Sequence, residues 1–154
     1  MKSQNTLLVI RQLDKKLIAL RSMQEIQPPV TGWINLLRKT LKISLRQLGD
    51  KLSITPQSAR AIEIREKEGS ITLKAMTEVA DALDMKLVYG FIPKDGSLEK
   101  MIERKARKLA TSIVNRTSTT MKLEDQGNSE ERLKQAITEL TEEIKRDIPK
   151  SLWD

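Results

Sequence analysis

The chain has no cysteine and no histidine among its 154 residues. Without cysteine there is no disulfide framework, and without either residue there is no Cys/His metal site. The commonest general base and the thiol nucleophile are missing together. The Asp and Glu pairs sit in charged helical stretches with no glycine-rich phosphate loop nearby, so an enzyme is not expected, nor any cofactor. Aromatic residues are almost absent too: two tryptophans, one tyrosine and one phenylalanine. That scarcity, beside plentiful Leu, Ile, Ala, Lys, Arg and Glu, favours helix over sheet. The apolar runs are short and broken by charge, which argues against a transmembrane helix or signal peptide and for a cytoplasmic protein.

What is present is positive charge. The net charge is +7 and the isoelectric point about 9.7, a balance that suits a polyanionic partner. It is unevenly spread. Residues 31–67 carry eight cations against three carboxylates, +5, and residues 98–123 seven against two, again +5. Residues 124–147 reverse the sign, with four cations against eight carboxylates, −4. Two basic blocks and an acidic end point to two kinds of partner.

Apolar spacing of three and four residues marks the helices. Leu7, Ile10, Leu13, Leu17, Leu20 and Met23 predict one helix over 3–26, ended by Gln27-Pro28-Pro29. A second runs from Gly32 to Leu41, with Trp33, Leu36, Leu37 and Leu41 on its apolar face and Trp33 in the core. Ser44 caps a third helix on Leu45, Leu48 and Leu52, and Thr72 caps one over 72–83 with Leu73, Met76, Val79, Ala80 and Leu83 inward. Residues 86–92, KLVYGFI, read as a short strand that would pair with its counterpart in another subunit. Asp95-Gly96-Ser97 opens a long helix over 98–123, with Leu98, Met101 or Ile102, Lys105, Leu109, Ile113 and Met121 along one side. After a linker at 124–129 comes a last helix with Leu133, Ile137, Leu140 and Ile144 in a coiled-coil-like seam. That seam suits plain packing or a partner-binding arm. Three segments result: an N-terminal helical arm (1–29), a central domain (30–96) and a C-terminal helical extension (97–154).

The stretch from 44 to 63, SLRQLGDKLSITPQSARAIE, is a helix that stops at Ser53-Ile54 and restarts at once. Thr55 is a capping residue, and Pro56 falls at the first helical position, where a missing N–H costs nothing. So short a connection matches a helix-turn-helix. With Ala59 and Ile62 facing inward, Gln57, Ser58, Arg60 and Ala61 face outward, and Arg65 follows. Gln pairs with adenine and Arg with guanine in the major groove, while Thr55 at a helix N-terminus suits a phosphate oxygen.

Residues 43–63 resemble the Xre/Cro-type helix-turn-helix of phage repressors and antitoxins. Leu48 and Leu52 match the first helix, Ile54 and Thr55 the turn, and Ile62-Glu63 the end of the second. The resemblance implies a mainly α, lambda-repressor-like helix-turn-helix domain carrying one short strand and extra N- and C-terminal helices. It puts Gln57, Arg60 and Ala61 at base-facing positions and Thr55 near the backbone. Two residues depart from the family pattern. Ser53 stands for the usual turn glycine and implies a slightly different turn. Leu45 replaces a phosphate-contacting Gln, for which Arg46 substitutes.

The stretches IRQLDKKLIAL, PPVTGWINLLRKTLKIS, EGSITLKAM and LVYGFIPKDGSLEKMIERKARKLA resemble the mobile mystery protein A family over most of residues 8–123. That resemblance implies a regulator that represses its own operon as the antitoxin of a Fic-domain toxin. A homodimer is expected to place two copies of the second helix of the helix-turn-helix in successive major grooves. The short inhibitory Fic signature, Ser/Thr-x-x-x-Glu-Gly/Asn, is nearly met at Thr120–Glu124, but Asp125 stands where Gly or Asn is required. An antitoxin that neutralises its partner mainly by protein contact, without DNA, is the alternative.

Overall fold

The computed structural model describes residues 2–123 and 129–154, and side chains over 4–119 and 129–154. The chain is mainly α. Its helices are α1 (Lys2–Ile18), α2 (Trp33–Thr40), α3 (Leu45–Leu52), α4 (Pro56–Glu68), α5 (Leu73–Ala82), α6 (Leu98–Leu123) and α7 (Glu130–Asp147), with 3-10 turns at Arg21–Glu25 and Lys150–Trp153. The Thr120–Asp125 comparison, Met121 and the 124–129 linker fall wholly or partly outside the described residues.

Two compact units form. One comprises residues 25–89; the other joins 1–24 to 90–154, so the N-terminal arm and the C-terminal extension, separate in sequence, belong to one body.

In the 25–89 unit, Ile34, Leu48, Ala59, Val79 and Leu83 form the core, flanked by Leu37, Leu52, Ile54, Ile62 and Met76. Fully burying a side chain such as Leu48 or Val79 stabilises by about 1.5–3 kcal/mol. The caps lie where the sequence puts them. Ser44 Oγ accepts from Gln47 N at 3.0 Å while Gln47 Oε1 accepts from Ser44 N at 2.8 Å, a reciprocal capping box. Thr72 Oγ1 accepts from Ala75 N at 3.1 Å.

In the other unit, the core is Ile102, Ala106, Ala110, Ile144 and Leu152, with Ile10, Leu109, Ile137 and Leu140 against it. Lys145 Nζ lies 3.9 Å from Glu103 Oε2, so the end of α7 returns to the start of α6 and the pair is antiparallel. Of the apolar seam of α7, Ile137, Leu140 and Ile144 pack within the chain. Asp14 of α1 caps α6, its carboxylate accepting from Leu98 N at 2.7 Å and Glu99 N at 3.2 Å. Such a carboxylate also complements the positive end of the helix.

Five expectations change. Residues 86–92 form no strand; there is no strand among the described residues. The segment has strand-like composition but no ladder partner in the chain, and strand propensity reflects packing against such a partner. The first helix stops at Ile18 and tightens into the 3-10 turn, although its apolar spacing continues. On α2 the buried residue is Ile34, while Trp33 is 39% exposed; Leu73 of α5 is exposed too. On α6 Ile102 is buried and Leu109 packs against the core as expected, but the buried stripe continues through the small residues Ala106 and Ala110 at four-residue spacing, and Ile113 is exposed.

Candidate nucleic-acid interface

The break between α3 and α4 is built from three residues. Ile54 N donates to Gly49 O at 2.9 Å, closing the end of α3. Ser53 takes the left-handed conformation itself, φ 57 and ψ 40. Serine thus holds the left-handed backbone shape that glycine favours. Gly49 makes the tight turn sterically feasible: a Cβ on it would lie 2.7 Å from Ile54 O and 3.2 Å from Thr55 C.

Thr55 then starts α4. Its Oγ1 accepts from Ser58 N at 3.1 Å and its hydroxyl donates to Ser58 Oγ at 3.0 Å. Pro56 is the first helical residue. At about 100° per residue, one arc of α4 holds Ala59, Ile62, Glu63 and Glu66, and the opposite arc holds Gln57, Arg60, Ala61, Ile64 and Lys67. The first arc is inward: Ala59 is fully buried and Glu63 nearly so. On the other, Gln57, Arg60, Ile64 and Lys67 are exposed and Ala61 half-buried. Ser58 and Arg65, both exposed, lie together on one flank of that face.

The site residues expected from sequence thus separate into groups. Gln57, Arg60 and Ala61 share the outward face within the first two turns. Thr55 and Ser58 are tied to each other at its start. Arg65 stands further along, in the last turn. Arg46, on the first turn of α3, has an 84% exposed side chain and only a long approach, 3.9 Å, to Asp50.

Two carboxylates, Glu63 and Glu66, hold α4 in place. Glu63 Oε2 accepts from Asn35 Nδ2 at 2.7 Å and from Arg38 Nη2 at 3.3 Å, and Glu63 Oε1 accepts from Arg38 Nε. Arg38 Nη1 also donates to Ile43 O at 3.0 Å. Burial alone would raise the Glu63 carboxyl; the hydrogen bonds from Arg38 and Asn35 and the charges of Arg38 and Lys39 outweigh it and hold the group below its ordinary value. Arg38 is therefore a structural cation, not one free for a ligand. Glu66 reaches the start of α2, where Oε1 accepts from Ile34 N at 2.9 Å. Gly32, the residue before α2, has φ 87 and no Cβ to strike Glu66 Oε2, which would lie 2.9 Å away. The available signal for both carboxylates was their place on the arc shared with Ala59 and Ile62.

Chemically, the outward face offers an amide, a guanidinium, hydroxyls and a short apolar strip on a rigid helix. Among the described residues there is no cluster of three or more acidic side chains placed to hold a metal, and no helix long and apolar enough to cross a membrane. The chain matches no protein-family model, no curated protein and no solved structure at a significant level.

Proposed function

We propose that α3, its turn and α4 are a lambda-repressor-like helix-turn-helix and that the chain is a sequence-specific repressor binding double-stranded operator DNA. One observation carries the reading: a capped helix of 13 residues presents Gln57 and Arg60 bare to solvent while buried Glu63 fixes its other side. Such a helix fits the roughly 12 Å width of the major groove. Gln57 and Arg60 read base edges, Ile64 and Ala61 supply apolar contact of the kind that thymine methyls take, and Arg46, Ser58 and Arg65 meet phosphates. A homodimer sets two copies of α4 about 34 Å apart on a pseudo-palindromic site. Repression follows from occupying the promoter.

The Fic-domain partner and the antitoxin role rest on the resemblance in sequence. A reading by protein contact alone finds support in Val9 and Leu13 of α1, both exposed and one helical turn apart, since apolar residues adjoining in the open mark contact surfaces. A mobility-shift experiment on the DNA upstream of the chain's own gene, with and without the neighbouring gene product, separates the two. Retardation by the chain alone supports the repressor; co-purification without retardation supports the alternative.

A further inference from the structure

Beside the outward face of α4 lies a cleft of about 230 Å³ that the base-reading residues do not fill. Its walls are α2, through Asn35 and Lys39, and α4, through Arg60, Glu63 and Lys67. At roughly 30 Å³ per water molecule, it holds a phosphate group with part of its hydration. Its one carboxylate, Glu63, is already matched by Arg38 in the wall behind. Counting that pair, four cations face one anion, leaving +3. Lys39 and Lys67 are exposed, and neither forms an ion pair among the described residues.

We propose that this cleft seats a backbone phosphate of the duplex whose groove α4 enters, held by Lys39 and Lys67. The inference rests on the DNA reading above and extends it to two lysines outside the base-reading set. The position favours it. Arg60 and Lys67 lie on the side of the outward face nearest α2, so a duplex with α4 in its groove brings the wall of that groove to the cleft. The lining favours a chain phosphate over a free nucleotide, because it has no aromatic ring for a base to stack on, and the start of α2, which Thr31 brings to its rim, is already met by Glu66 through Ile34 N. A contact here sets the angle at which α4 enters the groove and carries no base preference.

The test is the salt dependence of duplex affinity for the full chain and for Lys39→Gln, Lys67→Gln, the double variant, and the charge-keeping Lys39→Arg and Lys67→Arg. The double Gln variant is expected to lower the slope of log affinity against log salt by about one, each single Gln variant by part of that, and all three to weaken every sequence alike. The Arg variants are expected to keep the slope. Salt-dependent binding by the unaltered chain, with unchanged slopes in the Gln variants, overturns the cleft and leaves the DNA reading standing. No duplex binding by the unaltered chain overturns both. Loss confined to particular sequences overturns the phosphate role.

Discussion

Removing the Glu63 carboxylate is expected to loosen α4 without touching its outward face. The side chains of Arg38 and Glu63 are 12% and 7% exposed, so water does little to screen the pair. Glu63→Ala deletes three accepted hydrogen bonds and leaves the Arg38 guanidinium buried with only Ile43 O as partner. Breaking one side of such a pair costs about 3–5 kcal/mol, a large part of the roughly 5–15 kcal/mol typical of a domain. Glu63→Gln keeps one acceptor oxygen and should lose about 2–3 kcal/mol. Replacing both partners, Arg38→Met with Glu63→Leu, should recover most of the deficit, since the desolvation of two charges is then avoided. Two units need not unfold together. Trp33, next to the buried Ile34, therefore serves as a local probe in urea titrations on a Trp153→Phe background. The sign with pH follows from the lowered Glu63 group. Its stabilisation is fully present above the ordinary value of 4.5 and is lost as pH falls from there through the folded value. That part of the acid sensitivity should vanish in Glu63→Gln. A Glu63→Ala chain within about 0.5 kcal/mol of the parent, the range of inert surface changes, would refute the reasoning.

Gly49→Ala should destabilise the 25–89 unit by about 1–3 kcal/mol, since its Cβ meets backbone on the far side of the turn; thermal melting decides it, and an unchanged midpoint counts against the close approach. Ser53→Gly should stabilise modestly, by up to about 1 kcal/mol, because it relieves a left-handed non-glycine residue at the expense of a floppier unfolded chain; a fall in the midpoint contradicts this. Arg60→Ala should cost about 1–3 kcal/mol of DNA affinity and relax preference at one base position. An equal loss on every member of a site library would make Arg60 a phosphate contact instead.

The helix starts were legible because capping is local chemistry. Ser44, Thr55 and Thr72 each need only an N–H three residues ahead, and Pro56 needs only its own ring. What depended on distant residues was not. Glu63 and Arg38 are 25 positions apart, and each alone reads as a solvated charge; together they make the lock behind α4. Arg38 was accordingly counted among the cations available to a polyanion. The apolar face of Trp33, Leu36, Leu37 and Leu41 points Trp33 inward, but the core takes Ile34, about 100° further round α2. On α6 the apolar spacing finds Ile102 and Leu109, whereas the fully buried Ala106 and Ala110 carry too little apolar bulk to stand out in a sequence. Strand-like composition at 86–92 mistook propensity for pairing. The outward set Gln57, Arg60 and Ala61 was legible once Ala59 and Ile62 fixed the inward side, while Lys39 and Lys67 became visible only when α2 and α4 were seen to border one cleft.

Backbone amide shifts followed during titration with a duplex carrying the upstream sequence bear most directly on α4 as the reading helix. The expected result is a contiguous set of large changes at Gln57, Ser58, Arg60 and Ala61, joined by Arg46. Changes confined to residues of the 1–24 and 90–154 unit, or none at duplex saturation, would contradict it.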